Sequence, residues 1–128
     1  MALYEGNFIK LQALAPQLTI LSAGTAIRSR STLDFELHLA VDAVTRYTLD
    51  VRLSYIFSGP ERDPDLHLRV YLDARMVEVV SWSGNHRHAL LRQLAAMGDR
   101  ELDRRWSRNT MLGKWLDYLA DRHHSFCL

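Results

Sequence analysis

Arg69, Tyr71, Asp73 and Glu78 fall together in the stretch RVYLDARMVEVV, and Arg46 stands at the start of an earlier strand pattern. Their side chains are those of a polar recognition or acid-base site. A guanidinium presents a planar fork to a carboxylate or phosphate, and a carboxylate placed beside it can act as a base. Alternation puts Arg69, Tyr71 and Asp73 on one face of a strand and Val70 and Leu72 on the other. The side taken by Glu78 depends on the register across the Asp73-Ala74-Arg75 turn, and a slip of one residue moves it to the opposite face.

Other combinations are weaker. His86 and His88 form an HxH pair and His123 and His124 an HH pair. A metal site needs three or four ligands at defined spacing, so no metal and no cofactor is expected. The HH pair reads as an exposed tail. Cys127 is the single cysteine, which excludes an intrachain disulfide and a thiolate metal cage. The chain has no GxSxG, GxGxxG or P-loop. Arg104, Arg105 and Arg108 form a small basic cluster that acidic neighbours Asp99, Glu101 and Asp103 can neutralise.

The elements that position these residues follow from periodicity. Tyr4, Phe8, Leu11 and Ala15 form a helical stripe over residues 3–15, which Pro16 ends. The period then changes to two. Short strands are expected over Leu18–Ala23 and Ala26–Arg30. In DFELHLAV, Phe35, Leu37, Leu39 and Val41 face inward, whereas Asp34, Glu36, His38 and Ala40 face outward. In YTLDVRLSYIF, Tyr47 through Phe57 alternate inward against Thr48, Asp50, Arg52 and Ser54. SGPERDPD, residues 58–65, reads as a loop. LHLRVYLD resumes the alternation, with His67, Arg69, Tyr71 and Asp73 outward. Met76–Trp82 is less regular, as in a strand covered on both sides. Helical patterns return in HALLRQLAAM, across Arg100–Trp106, and in a final helix with Leu112, Trp115, Leu116 and Leu119 on one stripe, capped by Ser107 or Asn109. The expected architecture is α+β: an antiparallel β-meander of four to five strands with N-terminal and C-terminal helices packed on one face, in a single domain over residues 1–128.

Composition narrows the class. The 128 residues are 48% hydrophobic and 24% charged, and 16 basic residues balance 15 acidic ones. That balance disfavours nucleic acid as a partner. No apolar run reaches the roughly 18 residues of a membrane span and no signal pattern opens the chain, so a cytoplasmic protein is expected.

Several motifs together resemble one family. Leu3, Glu5, Asn7, Phe8, Leu11, Leu14 and Pro16, then TRYT at Thr45–Thr48, then Arg69, Tyr71, Asp73, Ala74, Glu78 and Val79, and finally Asn109, Leu112, Trp115 and Leu116 resemble, in order, the YqiB-like family (domain of unknown function 1249) of small bacterial proteins. The family's hairpin usually carries His where this chain has Leu72. Asp103-Arg104-Arg105 lacks the second acid of the family's triplet, and the Tyr-Pro-Asn segment that precedes it is not evident. The resemblance implies no established reaction or cofactor, and the missing groups weaken an enzymatic reading.

The function expected is therefore a non-enzymatic binding, adaptor or regulatory module. Its polar sheet face, with Arg46, Arg69, Tyr71, Asp73 and Glu78, would meet a protein partner or a small anionic ligand. The alternatives are an enzyme or sensor for a phosphate or nucleotide ligand, and association with RNA or the ribosome. The uneven Met76–Trp82 strand also leaves room for a homodimer.

Overall fold

The computed structural model describes residues 2–56, 62–83 and 104–126. Along the chain run helix α1 (Ala2–Leu14), a 3-10 turn (Leu18–Ile20), strands β1 (Ala26–Ser29), β2 (Glu36–Val44), β3 (Thr48–Ile56), β4 (Arg62–Tyr71) and β5 (Met76–Ser83), and helix α2 (Arg104–Asp121). All five strands join one antiparallel sheet in sequence order. The α+β meander expected from the sequence is thus observed. The expected helix over HALLRQLAAM and the HxH pair lie outside the described residues.

Alternation decides which face is buried. Leu37, Leu39 and Val41, Leu49, Val51, Leu53 and Tyr55, Leu66, Leu68 and Val70, and Val77 and Val79 form one continuous apolar surface. Phe8, Leu11 and Leu14 from α1 and Leu112, Trp115, Leu116 and Leu119 from α2 cover it. The two helices pack on each other and both on β5. Removing such side chains from water is the main stabilising term, about 1.5–3 kcal/mol for each large aliphatic or aromatic group.

Four sequence expectations are corrected. Leu18–Ala23 is no strand: Leu18–Ile20 closes into a 3-10 turn, with Leu18 in the core and Ile20 exposed. The loop expected over residues 58–65 gives way to β4 at Arg62. A register shift opposite Ser54–Ile56 makes this possible, because the irregularity there tolerates Pro64, which donates no ladder hydrogen bond. Helix α2 begins at Arg104, so Ser107 and Asn109 lie within it and neither stands at its N-cap position. Phe35 and Tyr47, expected inward, sit at strand ends and are largely exposed.

The uneven pattern of β5 has a different origin from the one expected. His67 pairs with Ser81 and Leu68 with Val79, which leaves Val80 as the extra residue of a β-bulge. Val77 and Val79 face the core before the bulge, and Trp82 resumes that direction after it, edge-on to Trp115 at 6.1 Å between ring centroids. One inserted residue breaks the period of two, with no need for cover on both faces.

A side chain satisfies one backbone donor of the last strand, β5. Asn109 Oδ1 on α2 accepts the Val79 N–H at 2.9 Å, and Asn7 Nδ2 on α1 donates to the Asn109 carbonyl at 2.8 Å. Both asparagines are buried. Gly113 lets the helices approach: a Cβ there would lie 2.7 Å from Asn7 Oδ1. A sheet edge with unpaired groups invites pairing with other chains, and this joint removes part of it.

Candidate functional site

The outward sheet face carries cross-strand ion pairs. Arg69 on β4 is opposite Asp50 on β3 and Glu78 on β5. Its Nε donates to Asp50 Oδ1 at 3.0 Å, and this bond, with the charge of Asp50, holds the guanidinium's pKa above its ordinary value. Arg52 Nε donates to both oxygens of Asp42, at 3.1 and 2.9 Å. Arg28 and Arg30 flank Glu36 at 3.4 and 3.7 Å, and His67 lies 3.9 Å from Asp65. Most of these groups are at least a third exposed, so solvent screens them and each contact adds little to stability.

A groove of about 260 Å³ runs across this face, lined by Asp42, Ala43, Asp50, Val51, His67, Leu68, Arg69 and Val80. Two bulges shape it. On β2, Val41 pairs with Val51 and Ala43 with Asp50, so Asp42 is extra and turns outward. On β5 the extra residue is Val80. Val51, Leu68 and Val79 connect the two bulges across the sheet in one rank. Bulges sharpen the local twist and re-aim side chains, and they recur beside functional sites.

The five candidate residues divide. Arg69 lines the groove. Glu78 is opposite Arg69 and Tyr71 lies two residues further along β4: the Tyr71 hydroxyl donates to Glu78 Oε1 at 3.2 Å, so the register places Glu78 on the polar face. With Tyr4, Met76 and Val77 they line a smaller notch of about 50 Å³ beside α1. Arg46 is exposed in the β2–β3 turn, its guanidinium 5.3 Å from the Tyr47 ring centroid. That turn, Thr45–Thr48, closes on itself, with Thr45 N–H donating to the Thr48 carbonyl at 2.8 Å and the two hydroxyls 2.6 Å apart. Asp73 belongs to the β4–β5 turn, where its Oδ1 accepts the Ala74 N–H at 2.9 Å. Neither Arg46 nor Asp73 lines the groove or the notch, whereas a phosphate-handling enzyme built on them and Arg69 needs one concave site. Asp50, Arg52 and His67 were legible as outward residues from alternation. Asp42 and Val80 continue the outward series of their strands, but that each is the extra residue of a bulge shows only in the strand pairing.

A second polar group lies on the core side. His124 Nδ1 is 2.9 Å from Ser29 Oγ and its Nε2 is 3.1 Å from Asp34 Oδ2. Tyr55 donates to the same Asp34 oxygen at 2.6 Å and receives the Trp115 indole N–H at 3.2 Å. The Ser125 N–H donates to Ser29 Oγ at 2.9 Å. These bonds close consistently when the Ser29 hydroxyl donates to Nδ1 and the Nε2 proton goes to Asp34. Burial pushes the Asp34 carboxyl up, but the bonds from His124, Tyr55 and the Phe35 N–H outweigh it and the pKa ends below its ordinary value. Burial, then the bond to Asp34, pushes the Tyr55 phenol far upward. Ser, His and Asp in this order resemble a nucleophile relay. The His124 and Asp34 side chains are only 0% and 2% exposed, however, and Ser29 is 3% exposed. A substrate has no access, so the group fastens the C-terminal tail.

This corrects two expectations. Asp34 points toward the core side, not outward, and only His123 of the HH pair is exposed. His123 adopts a left-handed φ of 63°, and the His124 N–H donates to the Leu119 carbonyl at 3.1 Å. This helix stop turns the tail back under the sheet. Among the described residues no group of three or more His, Cys, Asp or Glu is placed to hold a metal, and no helix is long and apolar enough to cross a membrane.

The sequence matches the family described as "Protein of unknown function (DUF1249)" over residues 10–125. No curated protein and no solved structure matches it.

Proposed function

We propose that this chain, which belongs to the DUF1249 family, is a binding module that engages a protein partner through the groove between the two bulges. The observation that carries the reading is the coincidence of both bulges in one rank with the Arg52–Asp42 and Arg69–Asp50 pairs beside them. A merely solvated face has no need of two register breaks at the same level.

Several features favour a protein over a small ligand or a reaction. The groove, at about 260 Å³, is below the roughly 300–1,000 Å³ of sites that enclose a drug-sized molecule. None of its lining side chains is a Ser, Thr or Cys nucleophile. Arg69 in the groove and Arg52 beside it are matched by carboxylates, which gives specificity and orientation more than bulk attraction for polyanions. The opposite face is already spent on the core.

Capture from lysate tests this. Wild-type protein is expected to enrich a partner that an Arg52→Ala/Arg69→Ala double variant with an unchanged circular dichroism spectrum does not. Equal enrichment by both removes the groove from the account.

A further inference from the structure

Arg69 lines the groove and Arg52 stands beside it, paired with the lining Asp42, and the two have a definite hydrogen-bond inventory. Arg52 spends Nε on Asp42, and among the described residues its Nη groups make no hydrogen bond. Arg69 spends Nε on Asp50. Beyond that bond it has only the neighbouring Tyr71 hydroxyl, itself donated to Glu78. Each guanidinium offers five N–H donors, so donors are in surplus. Charge is not: Arg52 and Arg69 are balanced by Asp42 and Asp50. A free oxyanion would gain donors but meet both carboxylates. A neutral acceptor takes the same donors without that repulsion, and the commonest neutral acceptor on a protein is the backbone carbonyl.

The notch beside the groove completes the pattern. Tyr4, Tyr71, Met76, Val77 and Glu78 line an open notch of about 50 Å³, room for a small aliphatic group. Along β4, Tyr71 follows Arg69 by two residues, about 7 Å in a strand. The same repeat separates alternate residues of any extended segment.

We infer that the partner presents an uncharged, extended segment, whose backbone carbonyls accept from Arg52 and Arg69 while a Val- or Ala-sized side chain enters the Tyr4–Tyr71–Met76 notch. This rests on the groove reading above and adds the chemical class of what it binds. Recognition of an extended backbone by fixed donors, with a pocket for alternate side chains, is an established mode of peptide binding.

The test is a nuclear magnetic resonance titration with N-acetyl-valine N-methylamide, which carries two carbonyls and one isopropyl group. N-acetyl-glycine N-methylamide and inorganic phosphate are the controls. The valine compound is expected to shift the Nε–H signals of Arg52 and Arg69 and the Met76 methyl signal saturably. The glycine compound should bind roughly tenfold more weakly, for want of the buried isopropyl group. Met76→Trp, which fills the notch, should erase that difference. Phosphate at equal concentration should leave the arginine signals in place. Stronger shifts with phosphate would make this an oxyanion site, and equal shifts with both amides would remove the notch from recognition. No shift with either amide also overturns the inference. If lysate capture still depends on Arg52 and Arg69 in that case, the groove reading survives and only the neutral segment falls.

Discussion

The Asp34–His124 group and the Asp50–Arg69 groove use the same kinds of side chain at opposite burial. In the first, carboxylate, imidazole, phenol, indole and hydroxyl form a closed chain inside the protein. In the second, carboxylates, arginines and a histidine pair in contact with solvent. A buried polar group left without its partner incurs its whole desolvation cost, whereas an exposed one returns to water. The first region is therefore fixed and structural. The second retains donors and room that a partner can use.

The sharpest way to break this contrast is Asp34→Ala. It strands the Tyr55 hydroxyl and the His124 ring, and should cost about 3–5 kcal/mol in urea unfolding. An Arg69→Ala change is expected to leave unfolding in the same experiment close to that of the wild type. A comparable loss at both positions would erase the distinction.

Asn109→Ala should come next. It frees the buried Val79 N–H, at a cost of about 1–3 kcal/mol, and should accelerate amide exchange at Val79 ahead of the β3 amides. Gly113→Ala tests the same joint. Alanine favours the helix by about 1 kcal/mol, but its Cβ collides with Asn7 Oδ1, so net destabilisation is expected.

Acid gives a smaller, directional effect. The folded-state pKa of Asp34 is depressed, so its contribution is complete above the unfolded carboxylate value of about 3.9. It is lost as pH falls through the folded value, because the unfolded chain takes up the proton first. The slope of unfolding free energy against pH below about 4 should therefore be shallower in Asp34→Asn than in the wild type. An unchanged slope would place the acid sensitivity elsewhere.

The smallest stability effect should be that of Arg52→Ala, under about 1 kcal/mol in urea unfolding, since its pair with Asp42 is exposed.

Much of the fold was legible because period-two alternation in β2, β3 and β4 leaves one inward residue set, and the helical stripe of Leu112, Trp115, Leu116 and Leu119 has one place to go. The site was less legible. Arg69, Tyr71 and Glu78 come near one another by local pairing. Arg46 and Asp73 satisfied the same alternation but fall in turns, where alternation stops positioning side chains. Asp42 and Val80 owe their place to bulges, and Asp34 and His124 meet only because the chain reverses at His123. Such contacts depend on tertiary geometry that no local period encodes. Asn7, Thr45, Thr48 and Asn109, all among the residues that carry the resemblance noted from the sequence, have structural roles in the helix–sheet joint and the β2–β3 turn.

The most direct test of the central claim measures stability and partner capture on two variants together. Arg52→Ala/Arg69→Ala should retain an unfolding free energy close to that of the wild type and lose capture, since exposed pairs contribute little to stability. Tyr55→Phe should lose about 1–3 kcal/mol, as the buried Trp115 indole N–H loses its acceptor, and keep capture per folded molecule. Capture that survives the arginine changes but disappears in Tyr55→Phe would contradict the account and assign recognition to the buried side of the sheet.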